Sequence, residues 1–277
     1  MRMIFLQTIL MAILQGVTEF LPVSSSGHLA FLNLLFTQFG FEEIEEQILL
    51  EIILHFASLF AILCYYWRHV FRMLLGNDMH LLKMLFIGTI PVGIVGILAK
   101  VFFESEFEQL LKSVQVTGAM MLVTSVLLLF AQKMSRRDPK EMHKLGLRRN
   151  LKTLSGLRAF GIGCVQALAV LPGLSRSGST ITAGLFSGLK RQDAGTFSFL
   201  LAIPAIGAAG GVELLKLLKD GVPESIGTLP LLASFIVCFI VSLISLSLLV
   251  RILRTRCLGY FAIYLIPVGI LMLILAP

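Results

Sequence analysis

Charged residues are scarce in this chain of 277 residues, and their scarcity excludes a soluble globular protein. Only 14% of the residues are charged, against about 25% in an ordinary soluble domain, whereas 57% are hydrophobic. Several apolar runs approach or exceed the ~20 residues that a helix needs to cross the hydrocarbon core of a bilayer. The composition therefore predicts an all-α polytopic membrane protein, and it also excludes a disordered or collagen-like chain.

Cysteine is equally scarce, and the common nucleotide and metal motifs are absent. The four cysteines form no Cys-x-x-Cys pair and lie in or beside apolar segments, which argues against a zinc site or a disulfide framework. The sequence contains no Walker loop, no glycine fingerprint for dinucleotides and no His-Glu-x-x-His motif. The first apolar run has no small-residue cleavage site, so we expect it to belong to the fold.

Positive charge is concentrated in one loop rather than spread over a surface for nucleic acid. Residues 133–158 contain nine Lys or Arg and two acidic residues, which equals the net charge of +7 for the whole chain. Basic loops of membrane proteins remain in the cytoplasm, and the basic clusters at 68–83 and 251–256 fall on the same side when the spans alternate. The charges therefore predict a cytoplasmic 133–158 loop and two external termini, and no nucleic-acid partner.

Short and long apolar stretches follow one another in the same order in each half of the chain. Two pairs of shorter stretches, within 3–40 and 159–190, are each interrupted by Pro and Gly, which predicts two helical hairpins that re-enter the membrane. The stretches long enough to span are six: 48–67, 84–103, 114–132, 194–215, 229–250 and 258–276.

The two hairpins are related by a constant offset of 151 positions. This offset aligns Gln15 with Gln166 and places residues 24–27 on residues 175–178 without a gap. Each half then contains one hairpin and three spans, and because three is odd the halves have opposite orientations. We therefore predict six transmembrane helices plus two re-entrant helical hairpins, related as an inverted repeat, as in many transporters. The single membrane domain divides into a first repeat (1–132), the basic loop (133–158) and a second repeat (159–277).

Two polar clusters fall on these hairpins. In the first, Gln15 and Glu19 are four residues apart and share one helical face. A carboxylate at membrane depth is costly and indicates a functional site. The alternative interpretations are that Glu19 lies at the membrane interface, exposed to water, and that His28 is packed in the core. The other members of the first cluster are Ser24, Ser25, Ser26, Gly27 and His28.

The second cluster surrounds Arg176, which is the only charged residue between Arg158 and Lys190. Its guanidinium needs an anionic partner, either Glu19 or the phosphate group of a ligand, whose oxygens its planar fork can bind in pairs. Small neighbours allow backbone N–H groups to bind an anion at a helix N-terminus. Those neighbours are Ser175, Ser177, Gly178 and Thr180.

The two clusters resemble the signatures of a known family. Glu-Phe-Leu-Pro-Val-Ser-Ser-Ser-Gly-His at 19–28 and Leu-Pro-Gly-Leu-Ser-Arg-Ser-Gly-Ser-Thr at 171–180 are similar to those of the undecaprenyl-diphosphate phosphatases of the bacitracin-resistance type. We call these segments the first and second signatures. The resemblance extends to 54–59 and 197–204 and covers nearly the whole chain. It implies a bacterial inner-membrane enzyme that hydrolyses undecaprenyl diphosphate to undecaprenyl phosphate and inorganic phosphate, which recycles the lipid carrier of cell-wall synthesis, at a site open to the outer side.

The resemblance also implies roles for individual residues. The catalytic groups would be Glu19, Ser25, His28 and Arg176. The substrate-binding residues would be Gln15, Ser24, Ser26, Gly27, Ser175, Ser177, Gly178 and Thr180. A divalent cation, Mg²⁺ or Ca²⁺, would bridge the diphosphate and Glu19. The family carries Glu or Gln at position 15, and with Gln here a clamp of two carboxylates is incomplete.

Several alternatives stay open at this point. Ser25 can act as nucleophile with His28 as base, or His28 can activate water while Ser25 only holds phosphate. The inverted repeat also fits a transporter or flippase for the product lipid. The partners expected are undecaprenyl diphosphate and membrane lipid, and the oligomeric state is open, with a homodimer as one arrangement.

Overall fold

The computed structural model describes residues 2–41, 47–102, 105, 109–111, 113–135, 150–220, 227–255 and 258–275. Across these ranges the fold is all α, as predicted. The helices are α1 (Arg2–Thr18), α2 (Ser25–Gln38), α3 (Gln47–Tyr65), α4 (Trp67–Leu74), α5 (Met79–Phe102), α6 (Val114–Ser135), α7 (Gly156–Leu168), α8 (Arg176–Phe186), α9 (Arg191–Asp220), α10 (Thr228–Thr255) and α11 (Gly259–Leu275). A 3₁₀ turn at Leu151–Thr153 precedes α7.

Five of the described helices are long and apolar enough to cross a membrane, namely α3, α5, α6, α9 and α10. They support a multi-pass membrane protein. The sixth predicted span forms α11, which is apolar but has only 17 residues. Helix α9 extends beyond the predicted 194–215 at both ends, because polar residues such as Arg191 and Asp193 continue the helix outside the apolar stretch.

The short helices form two helix pairs at the predicted positions, α1–α2 and α7–α8, and their re-entry into the membrane stays a prediction. Both breaks end in the same way: the Ser24 hydroxyl accepts the N–H of Gly27 at 3.3 Å, and the Ser175 hydroxyl accepts the N–H of Gly178 at 3.1 Å. A side-chain oxygen at the N-cap satisfies one of the free N–H groups of a helix start. The caps therefore explain why α2 and α8 begin immediately after these two serines.

Close backbone approaches hold the helices together. Helix α1 packs against α10, α7 against α5 and α6 against α11. A Cβ on Gly163 would lie 2.1 Å from the carbonyl oxygen of Gly88, so α7 and α5 touch through their backbones. A Cβ on Gly118 would lie 2.9 Å from the Gly269 oxygen, and one on Gly269 would lie 3.0 Å from the Gly118 oxygen. The α6–α11 contact is thus reciprocal, between residues 151 positions apart.

The helix of the first predicted span, 48–67, ends two residues earlier than predicted. Helix α3 ends at Tyr65, and the amphipathic helix α4 follows, with Trp67 and Phe71 exposed. The Arg68 guanidinium lies 5.4 Å from the centre of the Trp67 ring. Aromatic and basic residues on one short helix are typical of the membrane interface. Most of the basic loop, residues 136–149, lies outside the described residues, so its cytoplasmic location stays a prediction.

Candidate active site

The two signatures meet through reciprocal hydrogen bonds. The N–H of Gly173 donates to the Ser26 hydroxyl at 3.4 Å, and the Ser177 hydroxyl donates to the Leu21 carbonyl oxygen at 3.3 Å. Ser26 and Ser177 are separated by the same offset of 151 residues that relates Ser24 to Ser175. In each signature, the serine two residues after the capping serine therefore binds the backbone of the other signature.

The Glu19 carboxylate joins both signatures at the centre of the site. Arg176 Nη2 donates to its Oε1 at 2.6 Å in an ion pair between two largely buried side chains. Ser25 Oγ donates to its Oε2 at 2.7 Å, and Gln15 Nε2 donates to the same atom at 3.1 Å. Burial in a region of low dielectric strengthens such charge-assisted hydrogen bonds. The carboxylate thus fixes both the Ser25 hydroxyl and the Arg176 guanidinium.

Two polar atoms beside this carboxylate have no partner within the described part of the chain. They are Arg176 Nη1 and Gln15 Oε1, and both are buried. A buried donor or acceptor without a partner costs free energy, which a ligand can recover by hydrogen bonding to it. The site therefore contains one guanidinium donor and one amide oxygen that are ready to bind a polar group.

His28 is held away from Ser25 by other partners. Its Nδ1 lies 2.7 Å from the Ser24 carbonyl oxygen, and its Nε2 lies 2.8 Å from the Tyr264 hydroxyl. The imidazole and phenol rings are nearly parallel, with centroids 5.6 Å apart. Both ring nitrogens are thus occupied, and the group on the Ser25 hydroxyl is Glu19 rather than His28.

The remaining predicted substrate-binding residues make hydrogen bonds inside the two hairpins. Ser24 and Ser26 have their hydroxyls 3.2 Å apart, and Ser175 and Ser177 repeat this distance. The N–H groups of Gly27 and Gly178 are used by the caps. Thr180 Oγ1 contacts the Arg176 carbonyl oxygen at 2.7 Å and the hydroxyl of Ser198 on α9. These residues shape the two turns, whereas Gln15, Ser25 and Arg176 contact Glu19.

Two residues outside the signatures support them, and the sequence did not reveal either. Thr124 Oγ1 on α6 accepts the N–H of Ser175 at 3.0 Å and lies 3.1 Å from the Gly173 carbonyl oxygen. Tyr264 on α11 binds His28. The only signal in the sequence is a polar side chain within an apolar helix, which many Ser and Thr residues of this chain share. The packed pair α6–α11 therefore supports both signatures.

Comparison with known proteins identifies the family of this chain. The family model for the bacitracin resistance protein BacA matches residues 8–271. The chain belongs to the bacitracin resistance protein family. It is 39% identical to an undecaprenyl-diphosphatase of Rhodopirellula baltica over 98% of this chain and 97% of the relative, and 37% identical to one of Halothermothrix orenii with the same coverage. A Bacteroides fragilis undecaprenyl-diphosphatase is 34% identical over 98% of this chain and 97% of the relative. The resemblance read from the two signatures is confirmed.

The oxygen ligands that this chain supplies fit a divalent cation only if the substrate also coordinates it. No group of three His, Cys, Asp or Glu residues that could hold a metal occurs among the described residues. The Glu19 carboxylate and Gln15 Oε1, which has no partner among the described residues, nevertheless supply hard oxygen atoms from two side chains that contact each other. Mg²⁺ is commonly held by one or two protein oxygens together with substrate phosphates. The residues therefore fit a cation that the substrate helps to bind.

Proposed function

We propose that this protein is an integral membrane undecaprenyl-diphosphatase, which converts undecaprenyl diphosphate to undecaprenyl phosphate and inorganic phosphate. It thereby recycles the lipid carrier of cell-wall synthesis. One observation carries the proposal: the Ser25 hydroxyl and the Arg176 guanidinium, a nucleophile and a phosphate ligand, bind opposite oxygens of the buried Glu19 carboxylate. Relatives that bear the name of this enzyme align along nearly their whole length.

Arg176 is the group proposed to bind the diphosphate. Its Nη2 holds Glu19, and its Nη1, which has no hydrogen-bond partner in the described part of the chain, can donate to a phosphate oxygen. A guanidinium matches two oxygens of a phosphate and remains charged at every physiological pH. The isoprenoid tail is apolar and can stay in the lipid between helices while the charged head enters the site.

Ser25 is the nucleophile in the scheme that the contacts favour. Its oxygen attacks the terminal phosphorus, its proton passes to Glu19, and the bond between phosphorus and the bridging oxygen breaks to release undecaprenyl phosphate. Water then hydrolyses the phosphoserine. Phosphoryl transfer depends mainly on positioning and charge stabilisation, which the contact of Glu19 with Ser25 and Arg176 provides. In a second scheme, Glu19 or His28 activates water directly and Ser25 only holds phosphate.

A divalent cation, Mg²⁺ or Ca²⁺, is a further part of the proposal. Glu19 and Gln15 would hold it together with the diphosphate, where it would neutralise phosphate charge. The Ser25 hydroxyl is oriented by its hydrogen bond to the Glu19 carboxylate.

We further propose that the whole chain forms one plasma-membrane domain with six spans, α11 being the sixth, and two re-entrant hairpins in an inverted repeat. The equivalent caps at Ser24 and Ser175, and the reciprocal approach of Gly118 and Gly269, support the repeat. The charge distribution supports a cytoplasmic 133–158 loop and a site that opens to the outer side. A homodimer stays a prediction.

Phosphate release from undecaprenyl diphosphate by the purified protein in detergent tests the proposed function. Reconstitution into vesicles with a fluorescent undecaprenyl phosphate tests the alternative, because a flippase would move this lipid between leaflets. Phosphate release without lipid movement supports the phosphatase. Lipid movement without phosphate release would overturn it in favour of the transporter.

A further inference from the structure

Ser24 has an unusual backbone conformation immediately before the proposed nucleophile. It is the one non-glycine residue with positive φ in the described ranges, with φ 71° and ψ 102°. Ser175, its equivalent in the second signature, has an ordinary φ of −60°. Side chains with a Cβ rarely adopt positive φ, and such residues persist where their surroundings hold them in place. The peptide that joins Ser24 to Ser25 therefore needs an external support.

His28 provides that support from the first turn of α2. The Ser24 carbonyl oxygen is 2.7 Å from His28 Nδ1 and 3.3 Å from the His28 N–H. A carbonyl oxygen only accepts hydrogen bonds, so the imidazole proton lies on Nδ1. In the neutral ring Nε2 is then an acceptor, and the Tyr264 hydroxyl donates to it. The ring is therefore held at both nitrogens, with its proton position determined.

Tyr264 connects this ring to a closely packed pair of helices beside the site, α6 and α11. It lies 236 residues after His28, on α11, which packs backbone to backbone against α6. Helix α6 in turn carries Thr124, which binds the second signature. The same pair of helices, α6 and α11, therefore positions both His28 and the second signature.

We propose that Tyr264 and His28 form a positioning couple for Ser25. Tyr264 fixes the His28 ring, His28 holds the carbonyl of the strained Ser24, and the Ser25 hydroxyl consequently stays on Glu19. This inference rests on the proposed function, and it gives His28 a structural task in the site instead of acid–base chemistry. Both of its ring nitrogens are already used, and neither contacts Ser25 or Glu19.

The first test compares His28→Asn with His28→Ala. The Asn side chain keeps an N–H donor near the place of Nδ1, so it can still bind the Ser24 carbonyl, whereas Ala cannot. Misplacement of a reacting group by about 1 Å can cost on the order of 10²-fold in rate. We expect a loss of about 10²-fold in kcat for Ala and at most about tenfold for Asn, with KM nearly unchanged. Equal losses for Asn and Ala would overturn the positioning role, because both variants lack an acid–base group.

The second test removes only the Tyr264 hydroxyl. Tyr264→Phe keeps the ring, and we expect kcat to fall about tenfold, as is common when the outer partner of a functional histidine is lost. Tyr260→Phe is the matched control, since Tyr260 is an exposed tyrosine one turn earlier on α11. In the His28→Ala background Tyr264→Phe should have no further effect. Additive losses in the double variant would show that Tyr264 acts through packing, not through His28.

A measurement without substrate separates this inference from the proposed function. Amide hydrogen exchange of a peptide covering residues 22–30 should be faster in Tyr264→Phe than in Tyr260→Phe, because the support of the Ser24 carbonyl is weakened. Equal exchange in the two variants would overturn the couple. If the wild-type protein releases no phosphate from undecaprenyl diphosphate, the proposed function fails while this comparison still decides on the couple.

Discussion

The first and second signatures are built alike but contribute different chemistry. Both turns share a capping serine, a pair of hydroxyls 3.2 Å apart and a serine that binds the opposite turn. Among the positions related by the offset of 151 that carry different residues, three pairs include a polar group of the first or second signature. They are Glu19 and Val170, Ser25 and Arg176, and His28 and Ser179. The shared serines thus form the scaffold, whereas Glu19, Ser25 and Arg176, which are not shared, carry the proposed reaction.

The two turns also place their positive φ at different residues. In the second signature it falls on Gly173, with φ 86°, which glycine adopts without a steric cost. In the first it falls on Ser24, and Pro22 occupies the position equivalent to Gly173. Backbone strain is therefore confined to the turn that carries the proposed nucleophile, where it is supported by His28 and Tyr264.

Removal of the Ser25 hydroxyl should have the largest effect, because it deletes the reacting group of the first signature. We expect Ser25→Ala to lower phosphate release by more than about 10³-fold while lipid binding is retained. Ser155→Ala is the control, since Ser155 is exposed and makes no capping hydrogen bond. Near-normal turnover of Ser25→Ala would remove Ser25 from the mechanism and favour water activated by Glu19 or His28.

A lysine at position 176 should weaken the contribution of the second signature. Arg176→Lys keeps the charge but loses the planar fork, so all its N–H donors lie on one nitrogen and cannot reproduce the separate positions of Nη2 and Nη1. We expect kcat to fall by about 10²-fold, measured as phosphate release. Arg254→Lys, an exposed position at the end of α10, should behave as wild type. Full activity of Arg176→Lys would mean that a point charge is sufficient at this position.

The sequence predicted the parts of this comparison that depend on composition and repetition. Pro and Gly breaks located both hairpins, and the offset of 151 matched the two capping serines. Charges stranded in apolar segments need partners, and Glu19 was one of the two partners considered for Arg176; the two side chains meet at 2.6 Å. The hydrogen bond between His28 and Tyr264 was not predictable, because it depends on how α11 is rotated against α6. The apolar pattern of α11 contains no information about that rotation.

An alanine at Gly173 should disrupt the second turn by destabilising its backbone. A Cβ there would lie 2.0 Å from the Thr117 carbonyl oxygen, in addition to the cost of φ 86°. Gly76→Ala is the control, because Gly76 also has positive φ but open space around it. We expect Gly173→Ala to reduce the free energy of unfolding by at least about 2 kcal/mol more than Gly76→Ala, seen as a lower midpoint of thermal unfolding in detergent. Equal midpoints would show that α6 can move away from the turn.

Glycine at the two capping serines should give the smallest effect and the sharpest contrast between the turns. Both Ser24→Gly and Ser175→Gly lose a cap, but only Ser24→Gly also releases a side chain from positive φ. We therefore expect Ser175→Gly to be more destabilising by about 1 kcal/mol in thermal unfolding. Phosphate release should follow the opposite order, because glycine at position 24 lets the peptide before Ser25 leave the conformation that places its hydroxyl on Glu19. If both variants lost the same stability and the same activity, the positive φ of Ser24 would carry no free-energy cost and would not contribute to the placement of Ser25.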